Sequence, residues 1–246
     1  MLLNNHLIGK HLLKTSKCAS TNTLAMEFLQ QSQNVEGWVF ITNEQTKGRG
    51  QRGNFWEATP FQNFTFSFIV KPTFLFVQQQ FSLNFFISLG IYDFLRKKVP
   101  SADIKIKWPN DIYVNNLKIG GILIENIIKT KNIDSSIIGI GLNVNQVDFE
   151  TITAQSLRKL TQEKYDLEEL IQELLVCLDL RYQQLVNKET KKMKEEYLSN
   201  LYWIHENHLF FDVLKSEYFR GNIVGVDDFG QLIIKMSEGQ KAFSLK

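Results

Sequence analysis

A chain of 246 residues, 43% of them hydrophobic, can bury a sizeable core, as one main domain with room for a small second one. A charged fraction of 22% and a formal net charge of only +2 argue against a general nucleic-acid binder. There is no apolar run of the roughly 18–20 residues that span a membrane, "MLLNNHLIGKHLLKTSK" is too broken by Asn, His and Lys for a secretion signal, and Cys18 and Cys177 fit no metal or disulfide spacing, so a soluble protein of a reducing cytoplasm is expected.

In chain order, "STNTLAMEFLQQ" predicts a short helix capped by Ser20 and Thr21. "GWVFIT" (37–42) predicts a buried strand. "NFTFSFIV" (63–70) alternates, with Phe64, Phe66 and Phe68 on one face and Thr65 and Ser67 on the other. A helix follows from about Gln79 to Lys98, with Phe81, Phe85, Leu89 and the Tyr92/Leu95 region as its apolar stripe. Lys97 and Lys98 suit the negative end of its dipole, and Pro100 stops it. Three strands come next, over 102–108, over 112–128 with a turn at Asn115-Asn116, and over 135–145. Asp166 and Glu169 form a D-x-x-E capping box ahead of "LIQELLVCLDLRYQQLV", whose leucines face inward, and a charged helix around "KETKKMKEEYLSNLY" succeeds it. From about Phe210 the tail becomes short strands with turns at Asp227-Asp228 and Glu238-Gly239, which predicts a small β-barrel-like domain. Strands grouped before helices, without βαβα alternation, indicate an α+β fold.

The loop "EQTKGRGQRGNFWEA" (44–58) carries Gly48, Gly50 and Gly53 as G-x-G-x-x-G. A dinucleotide fingerprint requires a strand leading directly in, a helix leading out and an acid about 20 residues on. Here a phenylalanine-alternating strand follows, and no acid stands between Glu57 and Asp93, so this is not a Rossmann turn. Glycines let backbone N–H groups approach a ligand closely, and Lys47, Arg49 and Arg52 add cations suited to phosphate or carboxylate. A mobile basic surface loop is the competing reading. "KWPND" (107–111) gathers Lys107, Trp108, Asn110 and Asp111 where Pro109 breaks a strand. In "KIGGILIE" (118–125), Lys118 is a poor core residue unless its ammonium meets an anion or, as a snorkelling edge-strand lysine, reaches water. "GIGLNVN" (139–145) ends a strand with Asn143 and Asn145 on one side, an arrangement that braces a turn as readily as it reads a base.

Taken together, "STN" (20–22), "EQTKGRGQRGNFW" (44–56), "KWPND", "KIGGILIE" and "GIGLNVN" resemble, in order, the motifs of the biotin–protein ligase family, and the tail ending "KAFSLK" is similar to that family's SH3-like C-terminal domain. The resemblance implies a mixed β-sheet flanked by helices, of the kind shared with class II aminoacyl-tRNA synthetases, with a catalytic domain over 1–205 and an SH3-like barrel over 206–246. It implies formation of biotinoyl-5′-adenylate from biotin and ATP, with Mg²⁺ on the triphosphate, and transfer of biotin to a lysine of a biotin carboxyl carrier protein. Lys118 is the implied main cation of catalysis, with Arg49 closing over the adenylate. Biotin contacts are implied for Ser20, Thr21, Asn22, Gln45, Arg49, Gly50, Gln51, Lys118, Gly120 and Gly121. Nucleotide contacts are implied for Gly48, Arg49, Gly53, Trp56, Lys107, Asn110, Asp111, Lys118, Asn143 and Asn145, and a metal contact for Asp111.

Two departures stand out. Gln51 occupies a position where many members have arginine, which implies a looser hold on the adenylate unless Arg52 compensates or glutamine is tolerated there. Only about 19 residues precede "STN", which predicts the monofunctional type, a monomer or homodimer without DNA or membrane partners. Two rivals remain at this point: a lipoate–protein ligase or octanoyl transferase of the same fold, and a non-catalytic module that binds a ligand or nucleic acid.

Overall fold

The elements of the computed structural model, which describes residues 6–244 apart from the side chain of Arg52, follow the hydrophobic pattern closely. The first five residues and the closing Leu245 and Lys246 of "KAFSLK" lie outside the described residues. The order is β1 (His11–Cys18), α1 (Thr21–Gln31), β2 (Trp38–Gln45), β3 (Phe64–Val70), α2 (Ser82–Lys98), β4 (Ile104–Lys107), β5 (Asp111–Val114), β6 (Leu117–Lys129) and β7 (Asn132–Leu142). Then come α3 (Leu157–Thr161), α4 (Leu167–Val186), α5 (Thr190–Ser199), β8 (Asn207–Asp212), β9 (Glu217–Val226), β10 (Leu232–Met236) and β11 (Gly239–Phe243).

Strands β1 to β7 make one mixed sheet in the order β1-β2-β3-β7-β6-β5-β4. Only β1 and β2 run parallel, and the crossover that parallel pairing requires is α1. Strand β1 is absent from the expectations above. It is an edge strand of mixed polarity, half exposed along its length, so period-2 alternation is missing from "HLLKTSKC". Asn115 and Asn116 both adopt positive φ, 50° and 64°, as a two-residue hairpin turn between β5 and β6 demands. Strand β7 starts earlier than expected and stops at Leu142, so Asn143 and Asn145 lie beyond its end.

The two faces of the sheet bury different material. On one face Phe66 and Phe68 meet α2, with the Phe68 and Phe86 rings edge to face at 6.4 Å. Helix α2 is buried on nearly all sides, not along a single stripe, because α4 crosses it closely: a Cβ on Gly90 would come within 3.0 Å of the Leu178 Cα. The Asp166 carboxylate caps α4 by accepting from the backbone N–H groups of Glu168 and Glu169. The charged helix α5 joins this layer through Met193 and Tyr197. The other face carries α1, packed with Ala25 against Phe40, Ile69 and Ile137.

The tail folds as an antiparallel four-stranded sheet, β11-β10-β9-β8. Among the described residues β8 and β11 are not paired, so an open sheet stands where a closed barrel was expected. This sheet is moored to the first: Trp108 Nε1 donates to the Gly230 carbonyl at 2.9 Å, and Lys194 pairs with Asp228 at 2.7 Å. No helix among the described residues is long and apolar enough to cross a membrane.

Candidate active site

On the α1 face, the polar side of β3, the glycines of β6 and β7, the start of α1 and the glycine loop enclose a cavity of about 310 Å³. Its floor is flat for a reason visible in the register. Gly121 of β6 and Gly141 of β7 are cross-strand partners, and the Trp56 indole lies over them. A Cβ at Gly121 would stand 3.2 Å from Trp56 Cζ3, and one at Gly141 would overlap the ring outright. The buried Trp56 Nε1 has no hydrogen-bond partner among the described residues.

One end of the cavity is a chain of short polar groups. Gln45 Oε1 accepts from the Thr21 backbone N–H at 2.7 Å. The buried Ser67 hydroxyl lies 2.6 Å from both Thr21 Oγ1 and Asn22 Oδ1. A hydroxyl has one proton, so the consistent arrangement is Thr21 donating to Ser67 and Ser67 donating to Asn22. Asn22 in turn donates from Nδ2 to Glu125 Oε2 at 2.7 Å. Ser20 lines the same end, and although it occupies the N-cap position its hydroxyl makes no capping bond.

At the other end stands Lys118. It lies on β6, between β5 and β7, so it is no edge-strand lysine. Its ammonium is 2.7 Å from Asp111 Oδ1 and 5.7 Å from the centre of the Trp56 ring. Gly121 and Lys118 are three residues apart, and in a regular strand they would face opposite ways. Between them the β5–β6 register slips, so that Ile112 pairs with Gly120 and Tyr113 with Lys118. That bulge at Ile119 turns Lys118 to the cavity side, a recurrent use of bulges beside active sites. The Lys118 backbone is also held by the segment after β7: its N–H donates to Thr153 O and its carbonyl accepts from Gln155 N, both at 2.8 Å.

The glycine loop folds over the cavity as a flap. Its base continues the pairing with β1, Thr46 and Lys47 donating to the carbonyls of Cys18 and Ala19, and Arg49 and Phe55 then bridge as a small antiparallel turn. Gly50 and Gln51 face the cavity. Arg49 reaches Glu125 with an Nη2–Oε2 distance of 3.1 Å.

Ser20, Thr21, Asn22, Gln45, Arg49, Gly50, Gln51, Trp56, Asn110, Asp111, Lys118 and Gly121 thus all line one cavity. Six other expected residues do not. Gly48 and Gly53 line a neighbouring groove, Gly48 buried against Gln45 and Trp56. Gly120 faces away, towards Leu142 and Ile112. Lys107 shares the face of its cross-strand partner Asp111 but does not line the cavity, its ammonium lying 3.1 Å from the Tyr113 hydroxyl. The Asn143 and Asn145 side chains are buried beyond the end of β7 and donate to Gln155 O at 3.0 Å and Tyr165 O at 2.8 Å, while Asn143 Oδ1 has no partner among the described residues. Asn143 ties down the same Gln155 that clamps Lys118. The Arg52 side chain, offered above as compensation for Gln51, lies outside the described residues. Asn110 lines the cavity but spends its amide on Ile122 O at 2.8 Å, fixing the β4–β5 corner. The expectations missed Ser67, Glu125 and Gly139, whose contacts cross between distant segments. Only the alternation that set Ser67 opposite the phenylalanines hinted at the first.

Comparison with known proteins agrees with this geometry. Residues 16–143 match the model of the biotin/lipoate A/B protein ligase family. The bifunctional ligase/repressor BirA of Bacillus subtilis is 30% identical over 244 residues, covering 97% of this chain and 74% of that protein. A biotin–[acetyl-CoA-carboxylase] ligase of Paracoccus denitrificans is 34% identical over 131 residues, covering 51% of this chain and 52% of that protein. The biotin protein ligase of Aquifex aeolicus, solved in complex with biotin and ATP, superposes with a TM-score of 0.79 at 25% identity, covering 95% of each chain. The chain is a ligase of the biotin/lipoate A/B protein ligase family.

Proposed function

We propose that the protein is an ATP-dependent biotin–protein ligase, which makes biotinoyl-5′-adenylate and transfers the biotinoyl group to one lysine of a biotin carboxyl carrier protein or domain. The observation that carries this reading is Lys118, turned by a bulge into a cavity whose far end is a short-range hydrogen-bonding network. In the first step a carboxylate oxygen of biotin attacks the α-phosphorus of ATP, the bond to the bridging oxygen breaks, and pyrophosphate leaves. Two anions must meet, and a fixed ammonium between them offsets their repulsion and the charge that grows in the transition state. One such preorganised donor contributes on the order of 3–4 kcal/mol. In the second step a neutral lysine amine attacks the acyl carbon, an amide forms and AMP leaves with the electron pair.

Thr21, Asn22, Ser67 and Gln45 supply short donors and acceptors at the end opposite Lys118, the kind of set a ureido ring requires. Trp56 covers the floor of the cavity. Arg49 and the flap close over the phosphate end. With Gln51 there, one positive charge fewer stands over the intermediate than in relatives with arginine, and its retention falls more heavily on Arg49. Asp111 is the only carboxylate among the described residues lining the cavity, and no group of three or more His, Cys, Asp or Glu among the described residues is arranged around a metal. Asp111 would hold a Mg²⁺ that arrives with the triphosphate, phosphate oxygens supplying other ligands. When bound it supplies further neutralisation of phosphate charge. The two free thiols, Cys18 and Cys177, support a reducing cytoplasmic setting.

The test is ATP–pyrophosphate exchange with biotin or lipoate as the added acid. Biotin-dependent exchange is expected. Exchange driven by lipoate alone would indicate the sister activity, and none with either acid would indicate a binding module.

A further inference from the structure

Glu125 has no role in the reading above, yet its carboxylate joins the two halves of the site. A single oxygen, Oε2, takes donors from both Asn22 Nδ2 at 2.7 Å and Arg49 Nη2 at 3.1 Å. These donors differ in freedom. Asn22 is 2% exposed, its Oδ1 is held by Ser67, and it occupies the space over Gly139 that a Cβ there would fill. It cannot swing away without disturbing two strands. Arg49, on the flap, is 46% exposed in its side chain, and among the described residues Glu125 is its one side-chain partner.

We propose that Glu125 is a positioning residue that couples the flap to the polar end of the cavity: it anchors Asn22 and parks Arg49, then yields Arg49 to the anionic phosphate of the bound intermediate. The chemistry favours that exchange. Phosphate offers a guanidinium more acceptor oxygens and more charge than a carboxylate already shared with an amide. A half-exposed ion pair is also weakly held, so the parked state is easily left. Once Arg49 departs, the whole carboxylate remains for Asn22, and closure of the flap firms the network at the opposite end.

This inference rests on the proposed ligase activity, but its first readout does not. The flap holds trypsin sites at Lys47, Arg49 and Arg52. In the ligand-free full chain, Glu125→Gln removes the charge pairing and is expected to speed tryptic nicking of the flap about two- to fivefold. Glu125→Ala also frees Asn22, and is expected to raise the KM for biotin on the order of tenfold in pyrophosphate exchange, with kcat much less affected. Glu125→Asp, one methylene shorter, should recover part of both effects. Unchanged nicking in Glu125→Gln, or an unchanged biotin KM in Glu125→Ala, overturns the proposal. If the wild-type protein shows no biotin-dependent exchange, the functional reading fails by itself, and the nicking assay still decides whether Glu125 holds the flap.

Discussion

Lys118 and Arg49 are the two cations that line the cavity among the described residues, each paired with a carboxylate, and they are mounted in opposite ways. Lys118 stands on an interior strand, its backbone hydrogen-bonded to Thr153 and Gln155 and its ammonium 2.7 Å from Asp111. Arg49 sits on a small turn whose tip touches the sheet chiefly through one longer, half-exposed contact to Glu125. A group that stabilises charge in a transition state works best when nothing reorganises as the charge appears, and that is the mounting of Lys118. A group that admits substrates and then seals them in must move, and that is the mounting of Arg49. Under the proposed function, the difference suits Lys118 to chemistry at the floor and Arg49 to retention at the flap.

Substitutions probe that division. The largest effect is expected for Lys118→Ala: biotin-dependent pyrophosphate exchange should fall by roughly 10²–10³-fold while the far-UV circular dichroism spectrum and Tm stay close to wild type, because the side chain is partly exposed. Near-normal exchange would reassign the catalytic cation. Next is Gly141→Ala, whose Cβ overlaps Trp56. The ring must lift from the floor, and a rise in the KM for biotin on the order of tenfold is expected, corresponding to about 1.4 kcal/mol. An unchanged KM would mean that the Trp56 position is incidental to binding. Arg49→Ala is expected to leave the exchange rate within a few fold but to accelerate escape of the adenylate, measured by hydroxylamine trapping, about fivefold, the upper range for a half-exposed charge pair. Equal escape would deny the flap its retention role. The smallest effect is expected for Lys107→Ala. Its ammonium is engaged with the Tyr113 hydroxyl and does not line the cavity, so both KM values should stay within about twofold. A large rise in the KM for ATP would put Lys107 back at the nucleotide.

What was legible in the sequence was whatever depends on spacing within one segment. Alternation in "NFTFSFIV" sorted phenylalanines from Thr65 and Ser67, and Asp166 signalled the start of α4. The ordered motifs drew twelve residues to one cavity. Spacing fails where the backbone departs from its period. The bulge at Ile119 makes Lys118 and Gly121 share a side, which an alternating strand forbids, while Gly120 faces away. Asn143 and Asn145 carry the chemistry of ligand contacts but sit past the strand end, where buried amides must satisfy turn carbonyls. The half-exposed β1 left no period to read, and the open tail sheet has the strand pattern of a barrel without its closing pair. Glu125 and Gly139 acquire their roles only from Asn22, more than 100 residues away in the chain.

A crystal structure of the protein with biotin and a non-hydrolysable ATP analogue tests the placement of chemistry at Lys118. The account predicts the Lys118 ammonium within about 3 Å of both the biotin carboxylate and an α-phosphate oxygen, with the ureido ring against Thr21, Asn22 and Gln45. An ammonium still paired only with Asp111, with biotin bound elsewhere, would contradict it.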